Sequence, residues 1–327
     1  MVQQHRGGEN RGCWLAKLAA AGLFIVGLSS CTVAQVDHSE RLKENARLVA
    51  EVKAFGKTLG IEPTEALSRT AEERPPLSML WLWMQRVGTL ALDVSVDIRM
   101  AIGFSVVKEQ LKLERVYRVD GYSVYYRQGN EFADSRSVAT SGFASEEIAQ
   151  RVKVILHEDL HDDKNFDLPW EVEESIVTPL GSLAAMEFFR RTGDQESFQR
   201  ALATVDEERR YAQELNALVG EAQNLFKTFS VEKAQEQILS LFPSYPAYQR
   251  QFERQTEGQH PATVLEAKLS HDLAYYRYFD QMIALADQAI DLKRLIDDLK
   301  KLPRDTHQNG LQLYLQQLKN RYLRSAS

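Results

Sequence analysis

The sequence predicts an α+β fold that is mostly helical, with a small β-sheet ahead of its longest helical region. Residues 90–106 alternate between apolar and polar side chains, which is typical of a half-buried strand. From residue 145 onwards, apolar residues recur at helical spacing instead. The chain has 327 residues, 44% of them hydrophobic, enough to bury a sizeable core. We therefore expect a β-rich region over 88–140 and a helical region over 145–327.

The N-terminus has the layout of a secretory signal. A short apolar stretch, 18–28, follows the basic residues Arg6, Arg11 and Lys17. It ends in Leu28-Ser29-Ser30-Cys31, which resembles the processing box of bacterial lipoproteins. Residues 1–30 are therefore predicted to be a lipoprotein signal peptide, and Cys31 to carry the lipid that anchors the chain to a membrane. Thr32, rather than Asp, follows the cysteine, and by the same resemblance this favours the outer membrane, facing the periplasm. The alternatives are an ordinary signal peptide or a short N-terminal anchor.

Composition excludes several classes of protein. The two cysteines are Cys13, inside the predicted signal, and Cys31. The mature chain therefore keeps no thiol for a disulfide partner or for a cysteine nucleophile. The formal net charge of −6 argues against nucleic acid as a partner. The sequence also lacks a nucleotide-binding glycine loop and a Gly-x-Ser-x-Gly elbow, so neither enzyme class competes with the site described below.

Residues 31–76 are predicted to form an N-terminal tether and one helix. The helix covers 39–59, with apolar residues on one side and Gly60 at its end. Pro75 and Pro76 form a boundary, because two consecutive prolines cannot continue a helix. The remaining residues, 77–327, are predicted to be a single domain.

Strand signals follow this boundary. An apolar cluster comes first and is assigned to the core rather than to a membrane contact: Trp81, Trp83 and Met84. The alternating segment 90–106 is long enough that we expect a bend, at Gly103. Residues 116–119 and 122–126 are predicted to form a hairpin around Asp120-Gly121, since Asp-Gly tolerates the positive φ angles of a two-residue turn.

The most informative segment is His157-Glu158-Asp159-Leu160-His161. Ser145 and the two acids after it suit the start of a helix, and apolar residues at helical spacing continue it. Residues four apart share a helix face, so both imidazoles can reach one metal ion. Glu158 lies a third of a turn away, where it can act as general base toward a water that the ion acidifies. The alternative is a solvated acidic helix end whose histidines bind nothing.

A catalytic zinc site needs a third protein ligand and one open position. Pro169 suits the first turn of a second helix, which begins at Trp170. Glu174 is an acid within the otherwise apolar stripe of that helix. It is therefore a candidate third ligand, and Glu173 is the alternative. Pro179 predicts a kink just after the proposed ligand.

These two segments together resemble a known family. The run 154–188, above all the two histidines followed by Glu174-Ser175, is similar to the gluzincin metallopeptidases, and most similar to a group of bacterial lipoproteins regarded as aminopeptidases. The resemblance implies a zincin-like domain in which His157, His161 and Glu174 bind zinc and Glu158 is the general base. It also implies a peptide or protein substrate, held along a sheet edge at 122–127 or 137–140.

Two features depart from the usual motif or extend it. Asp159, Asp162 and Asp163 are expected to raise the negative potential near the histidines. On a later helix, His271 and Tyr275 share a face, and either could donate a hydrogen bond to the oxyanion of a tetrahedral intermediate. The alternative for this pair is a structural stripe, with Tyr245 and Tyr248 as equally open donors.

The sequence therefore predicts a lipid-anchored zinc metallopeptidase. Two other classes remain open. One is a lipoprotein of the cell envelope that binds metal without catalysis. The other is a helical scaffold lipoprotein with no metal.

Overall fold

A computed structural model shows the mostly helical α+β fold that the sequence predicts. The structure describes residues 38–70, 79–90, 102–103, 120–129, 138–139, 142–161, 163, 166–289 and 291–325. All of them belong to one unit, Asp37–Ser327. Cys31 with its predicted signal peptide, Asp162, and strand segment 116–119 of the predicted hairpin lie outside the described residues.

Ten described helices make up most of the fold. Their bounds are α1 His38–Thr58, α2 Ile148–His161, α3 Trp170–Thr192, α4 Gln195–Thr228, α5 Val231–Leu241, α6 Pro246–Gln255, α7 Pro261–Tyr276, α8 Phe279–Gln288, α9 Leu292–Leu299 and α10 Gln308–Ser325. The helix predicted at 39–59 is α1, and α3 begins at Trp170 as predicted. Gly193, with φ 76°, ends α3 in the left-handed conformation that glycine adopts without strain.

Five short strands form two small sheets among the described residues. They are β1 Arg69–Thr70, β2 Met79–Arg86, β3 Ile102–Gly103, β4 Tyr122–Gly129 and β5 Val138–Ala139. The first and last pair in parallel, while β3, β2 and β4 form an antiparallel sheet in that order. Gly121, with φ 80°, lies in the predicted turn before β4. Of the alternating segment 90–106, the structure describes a strand only at Ile102–Gly103, so the predicted bend is not tested.

The strand β2 is the element that sequence reasoning missed. Both of its faces are buried, because Leu82 and Met84 pack in one apolar cluster and Trp83 packs in another. Its residues therefore show no alternation between apolar and polar side chains. The assignment of Trp83 and Met84 to the core is confirmed, whereas the side chain of Trp81 lies outside the description.

Two larger apolar clusters organise the helices. The first joins α1, α2 and α3 with the C-terminal helices. The N-terminal helix α1 therefore packs against α2, the helix that carries His157 and His161. The second joins β2 and β4 with α4, α6 and α7. The cleft described next is lined mainly by residues of α2, α3, α4, α6 and α7, together with Arg127 of β4.

Candidate metal centre

The helix α2 presents its two histidines on the margin of a buried stripe, as its sequence predicts. Val152, Ile155, Leu156 and Leu160 are fully buried in the core. His157 and His161 lie on the neighbouring face, with ring centroids 4.6 Å apart. Packing of the apolar stripe therefore fixes the direction in which both imidazoles point.

The structure brings His157, His161 and Glu174 together as one potential metal-binding group. The two Nε2 atoms are 3.1 Å apart, and the Glu174 carboxylate oxygens lie 3.4 Å from Nε2 of His161 and 3.7 Å from Nε2 of His157. A tetrahedral ion with bonds of about 2.0–2.2 Å separates its ligand atoms by about 3.3–3.6 Å. The observed distances of 3.1–3.7 Å lie near this range, although the Glu174 oxygen nearest His161 is Oε1 and the one nearest His157 is Oε2. The three residues are therefore close enough together to hold one small cation.

The group depends on a close approach of α2 and α3. Gly181 lies against His157: a Cβ atom on Gly181 would be 3.1 Å from Cβ and 3.4 Å from Cα of that histidine. Immediately before Pro179, Thr178 donates a hydrogen bond of 3.4 Å to Oε2 of Glu174. The helix continues through Pro179 to Thr192. The small residue and the hydroxyl thus help to place Glu174 beside the histidines.

Glu173 occupies a different place from Glu174. Its Oε1 lies 2.8 Å from Nδ1 of His161, on the side of the ring that faces away from the shared Nε2 atoms. A carboxylate accepts from Nδ1–H, so this contact leaves Nε2 as the atom available to a metal. Between the two acids left open by the sequence, the geometry places Glu174 in the donor set and Glu173 behind it.

The ionisation of the group reflects its burial and mutual contacts. Burial and the neighbouring charge of His161 lower the pKa of His157 to about 3. Burial alone would lower the pKa of His161, but the charge of Glu174 and the hydrogen bond with Glu173 raise it well above its ordinary value. Burial opposes ionisation of Glu174, yet His161 outweighs burial and the pKa of Glu174 falls to about 2. A metal ion that binds here would displace the proton on His161.

The group opens into a cleft of about 580 Å³. Glu158, which is 6% exposed, lines this cleft together with His157 and Glu174. Its charge acts on both His161 and Tyr275. Glu158 therefore faces the space in which a ligand of the metal group would lie, as a general base must.

The expectation that the extra acids would raise the potential at the site is wrong for Asp159. This residue is fully buried on the far side of α2, where Lys53 and the Thr64 hydroxyl donate to its carboxylate. Because residues advance about 100° each, a residue two positions from both histidines must face away from them. Asp163 is also buried, and Lys300 donates to it. Both aspartates anchor the helix.

The two candidate oxyanion donors lie in different places. Tyr275 lines the cleft, and its hydroxyl accepts a hydrogen bond of 3.3 Å from Arg127. His271 is absent from the described cleft lining and packs behind Tyr275, with ring centroids 5.0 Å apart. Its Nδ1 lies 2.9 Å from Asp272, and burial lowers its pKa to about 4. The geometry therefore favours Tyr275 as a hydrogen-bond donor to an oxyanion. His271 is packed as a structural residue, which was the alternative interpretation for this pair.

The edge of β4 within the described sheet, proposed above as a place for substrate, carries a side-chain contact. Tyr126 N–H donates to Oε1 of Gln259 at 2.9 Å, and Nε2 of Gln259 donates to the Tyr126 carbonyl at 3.0 Å. The Gln259 amide thus stands where the peptide group of a further strand would bind. At 137–140, the structure describes only β5, which pairs with β1.

Sequence reasoning missed several polar groups in the cleft. Lys153, one helical turn before His157, pairs with Glu208, and Ser182 donates 2.9 Å to the same carboxylate. The i−4 spacing from His157 is the one signal that could have placed Lys153 on this face. Arg127 comes from β4, and no local pattern relates it to a motif that lies far along the chain on another element.

Comparison with protein-family models, with curated proteins and with solved structures gives no match. No described helix combines the length and apolar composition that crossing a bilayer requires. The evidence for a metal site at His157, His161 and Glu174 is therefore the geometry of these three residues.

Proposed function

We propose that this protein is a zinc-dependent metallopeptidase with a zincin-like site. The observation that carries the proposal is the convergence of His157, His161 and Glu174, each of which offers one ligand atom within 4.8 Å of the other two. Two imidazoles and one carboxylate favour zinc over calcium or magnesium, which prefer oxygen ligands. Glu173 adds the outer carboxylate that commonly orients a zinc-binding histidine.

The chain's own residues would perform the remaining steps of hydrolysis. His157, His161 and Glu174 would hold the zinc ion, which would supply Lewis-acid chemistry toward a water and a peptide carbonyl. The Glu158 carboxylate takes the proton from the attacking water and passes it to the nitrogen of the departing amine. The Tyr275 hydroxyl donates a hydrogen bond to the carbonyl oxygen as negative charge develops on it. The packing of α2 against α3 keeps these groups in a fixed arrangement.

The cellular setting is part of the same proposal. A lipid on Cys31 would hold the enzyme at the outer membrane with its cleft in the periplasm, where the substrates are peptides or proteins. Aminopeptidase activity is the form of hydrolysis that the resemblance to bacterial lipoproteins favours.

Metal content and turnover test the proposal together. We expect purified mature protein to hold one zinc per chain by elemental analysis and to cleave members of a peptide library. Glu158→Gln should keep the zinc and lose at least about a hundredfold in kcat, because it removes the base and leaves the ligands. Glu187→Gln is the matched control, because Glu187 lies near the C-terminal end of α3, where it pairs with Arg190 and Arg191. Stoichiometric zinc without turnover would instead support a non-catalytic metal-binding lipoprotein, and absence of zinc would support the helical scaffold.

A further inference from the structure

Arg127 is a cleft residue that the proposed hydrolytic steps do not use. It lies on β4 and lines the same cleft as His157 and Glu174. Tyr275, to which its guanidinium donates a hydrogen bond, also lines this cleft. A cation in this position acts on any ligand that occupies the cleft.

The position of Arg127 results from a regular pairing of β4 with α7. The Ser123 hydroxyl accepts from Ala267 N–H at 3.1 Å, and the ring of Tyr125 lies 5.2 Å from that of His271. Arg127 then contacts Tyr275. Alternate strand residues meet every fourth helix residue because both steps advance about 6 Å. The guanidinium is thus held by a strand that packs against a helix, rather than by a loop.

A buried polar cluster lies next to this strand and helix. Lys268, fully buried, donates to Asp272, and Asp272 also accepts from Tyr248 at 3.3 Å. Lys268 Nζ lies 5.3 Å from the ring centroid of Tyr125. The contact of Lys268 with Tyr125 joins α7 to β4, the helix and the strand that carry Tyr275 and Arg127.

Tyr275 holds the guanidinium of Arg127 in place. One N–H of the guanidinium donates to the Tyr275 oxygen at 3.3 Å, and the Arg127 carbon Cζ lies 5.6 Å from the tyrosine ring centroid. Since that oxygen accepts from Arg127, the tyrosine proton points away from the guanidinium. A guanidinium carries five N–H donors in a planar fork and serves several acceptors at once. The planar fork of a guanidinium matches the two oxygens of a carboxylate.

We propose that Arg127, held in place by Tyr275, forms a carboxylate-binding subsite, which selects peptides that carry a carboxylate close to the metal-binding group. The carboxylate is either the C-terminus of the peptide or an Asp or Glu side chain. The subsite rests on the proposed function for its ligand, a peptide, and it does not require turnover.

Calorimetry on the full mature chain with Glu158→Gln, loaded with zinc, tests the subsite without hydrolysis. One pair of short peptides differs only in a free C-terminal carboxylate or a C-terminal amide. A second pair, with amidated ends, differs only in Glu or Gln at each position in turn. We expect the carboxylate member of one pair to bind about tenfold tighter or more, as charge-assisted hydrogen bonds do. The pair that discriminates identifies the source of the carboxylate.

Arg127→Met should reduce this preference to less than about threefold, and Tyr275→Phe should reduce it in part. Arg254→Met is the matched control, because Arg254 lines the same cleft at an exposed position and should leave the preference unchanged. Tyr275→Phe keeps the test decisive where Arg127→Met fails to fold. Equal binding of acid and amide in both pairs, or a preference that survives Arg127→Met, would overturn the subsite. Zinc content measured in parallel separates this failure from a failure of the metal site.

Discussion

At the scale of single residues, the two neighbouring acids Glu173 and Glu174 have different surroundings. Glu174 faces both Nε2 atoms, whereas Glu173 contacts Nδ1 of His161 at 2.8 Å. A change of about 100° in direction separates them along the helix. Sequence could show that one of the two shares a stripe with Gly181, but the outer contact of Glu173 depends on the rotation of an imidazole on another helix.

Replacement of Glu173 tests this outer contact. Glu173→Ala should weaken zinc binding by about 10–100-fold, because the His161 ring loses the acceptor that orients it. Glu173→Gln keeps an acceptor oxygen and should lose less. Competition with a fluorescent chelator measures the affinity, and Glu187→Ala on the same helix should leave it unchanged. Wild-type affinity in Glu173→Ala would show that the carboxylate does not orient His161.

His271 makes a prediction about pH. Burial lowers its pKa from 6.5 to about 4, against the raising effect of Asp272, and Lys268 and Arg127 are the cations that face it. Below pH 6.5 the unfolded chain takes up a proton that the folded chain refuses, so stability falls between pH 6.5 and 4. His271→Asn should remove on the order of 2–3 kcal/mol of that fall.

Urea unfolding of the metal-free protein at about pH 7 and about pH 4 measures this change. The exposed His260→Asn serves as the control for the loss of a histidine. The effect of Asp272 falls in a lower window, since its pKa is lowered to about 2 and its contribution is lost only as pH drops below about 4. An equal loss of stability in His271→Asn and wild type would refute the buried neutral state.

At the scale of helices and strands, the contact of α2 with α3 depends on Gly181. Alanine usually stabilises a helix relative to glycine by about 0.5–1 kcal/mol. At Gly181 the added methyl would lie 3.1 Å from Cβ of His157, so one of the two helices would have to shift by a few tenths of an ångström. Gly181→Ala should therefore destabilise the fold by about 1–3 kcal/mol and weaken zinc binding.

Gly220→Ala is the matched control for this substitution. Gly220 lies within α4 and is exposed, and a methyl group on its Cα would meet no other atom within 4 Å. The variant should gain the ordinary helix-propensity stabilisation and keep its zinc affinity. Thermal unfolding and chelator competition on both variants separate the two effects. A Gly181→Ala protein as stable as Gly220→Ala would mean that the helices do not meet closely there.

The elements differ in how far sequence could predict them. The helices α1, α2 and α3 follow from apolar spacing and from Pro169, Gly60 and Gly193 at their ends, which are local signals. The strand β2 has no alternation because both faces are buried. Arg127 reaches the cleft only through the pairing of β4 with α7, a contact between residues 148 positions apart. Such long-range placement has no counterpart in a local pattern.

At the scale of the whole molecule, contacts from the N-terminal and C-terminal parts of the chain fix the C-terminal end of α2. Lys53 of α1 donates to Asp159, and Thr64 N–H donates to the same carboxylate at 3.1 Å. Lys300, after α9, donates to Asp163 and to the Gly60 carbonyl. The end of α2 is therefore joined to two distant parts of the chain. The helix α1 and the residues that follow it, which precede the cleft residues in sequence, therefore help to support the cleft.

The Lys53–Asp159 pair provides the test at this scale. Lys53→Met leaves the buried Asp159 carboxylate without its cation and should cost about 3–5 kcal/mol, whereas Lys53→Met with Asp159→Leu replaces both charges by apolar groups and should recover most of that loss. Lys57→Met, exposed on the same helix, should change stability by less than about 0.5 kcal/mol. Urea unfolding measures all three. Because Asp159 lies between Glu158 and Leu160 on α2, the single variant should also bind zinc more weakly, and the double variant should regain affinity together with stability. Recovery of stability without recovery of zinc affinity would show that the pair supports the fold but does not position the histidines.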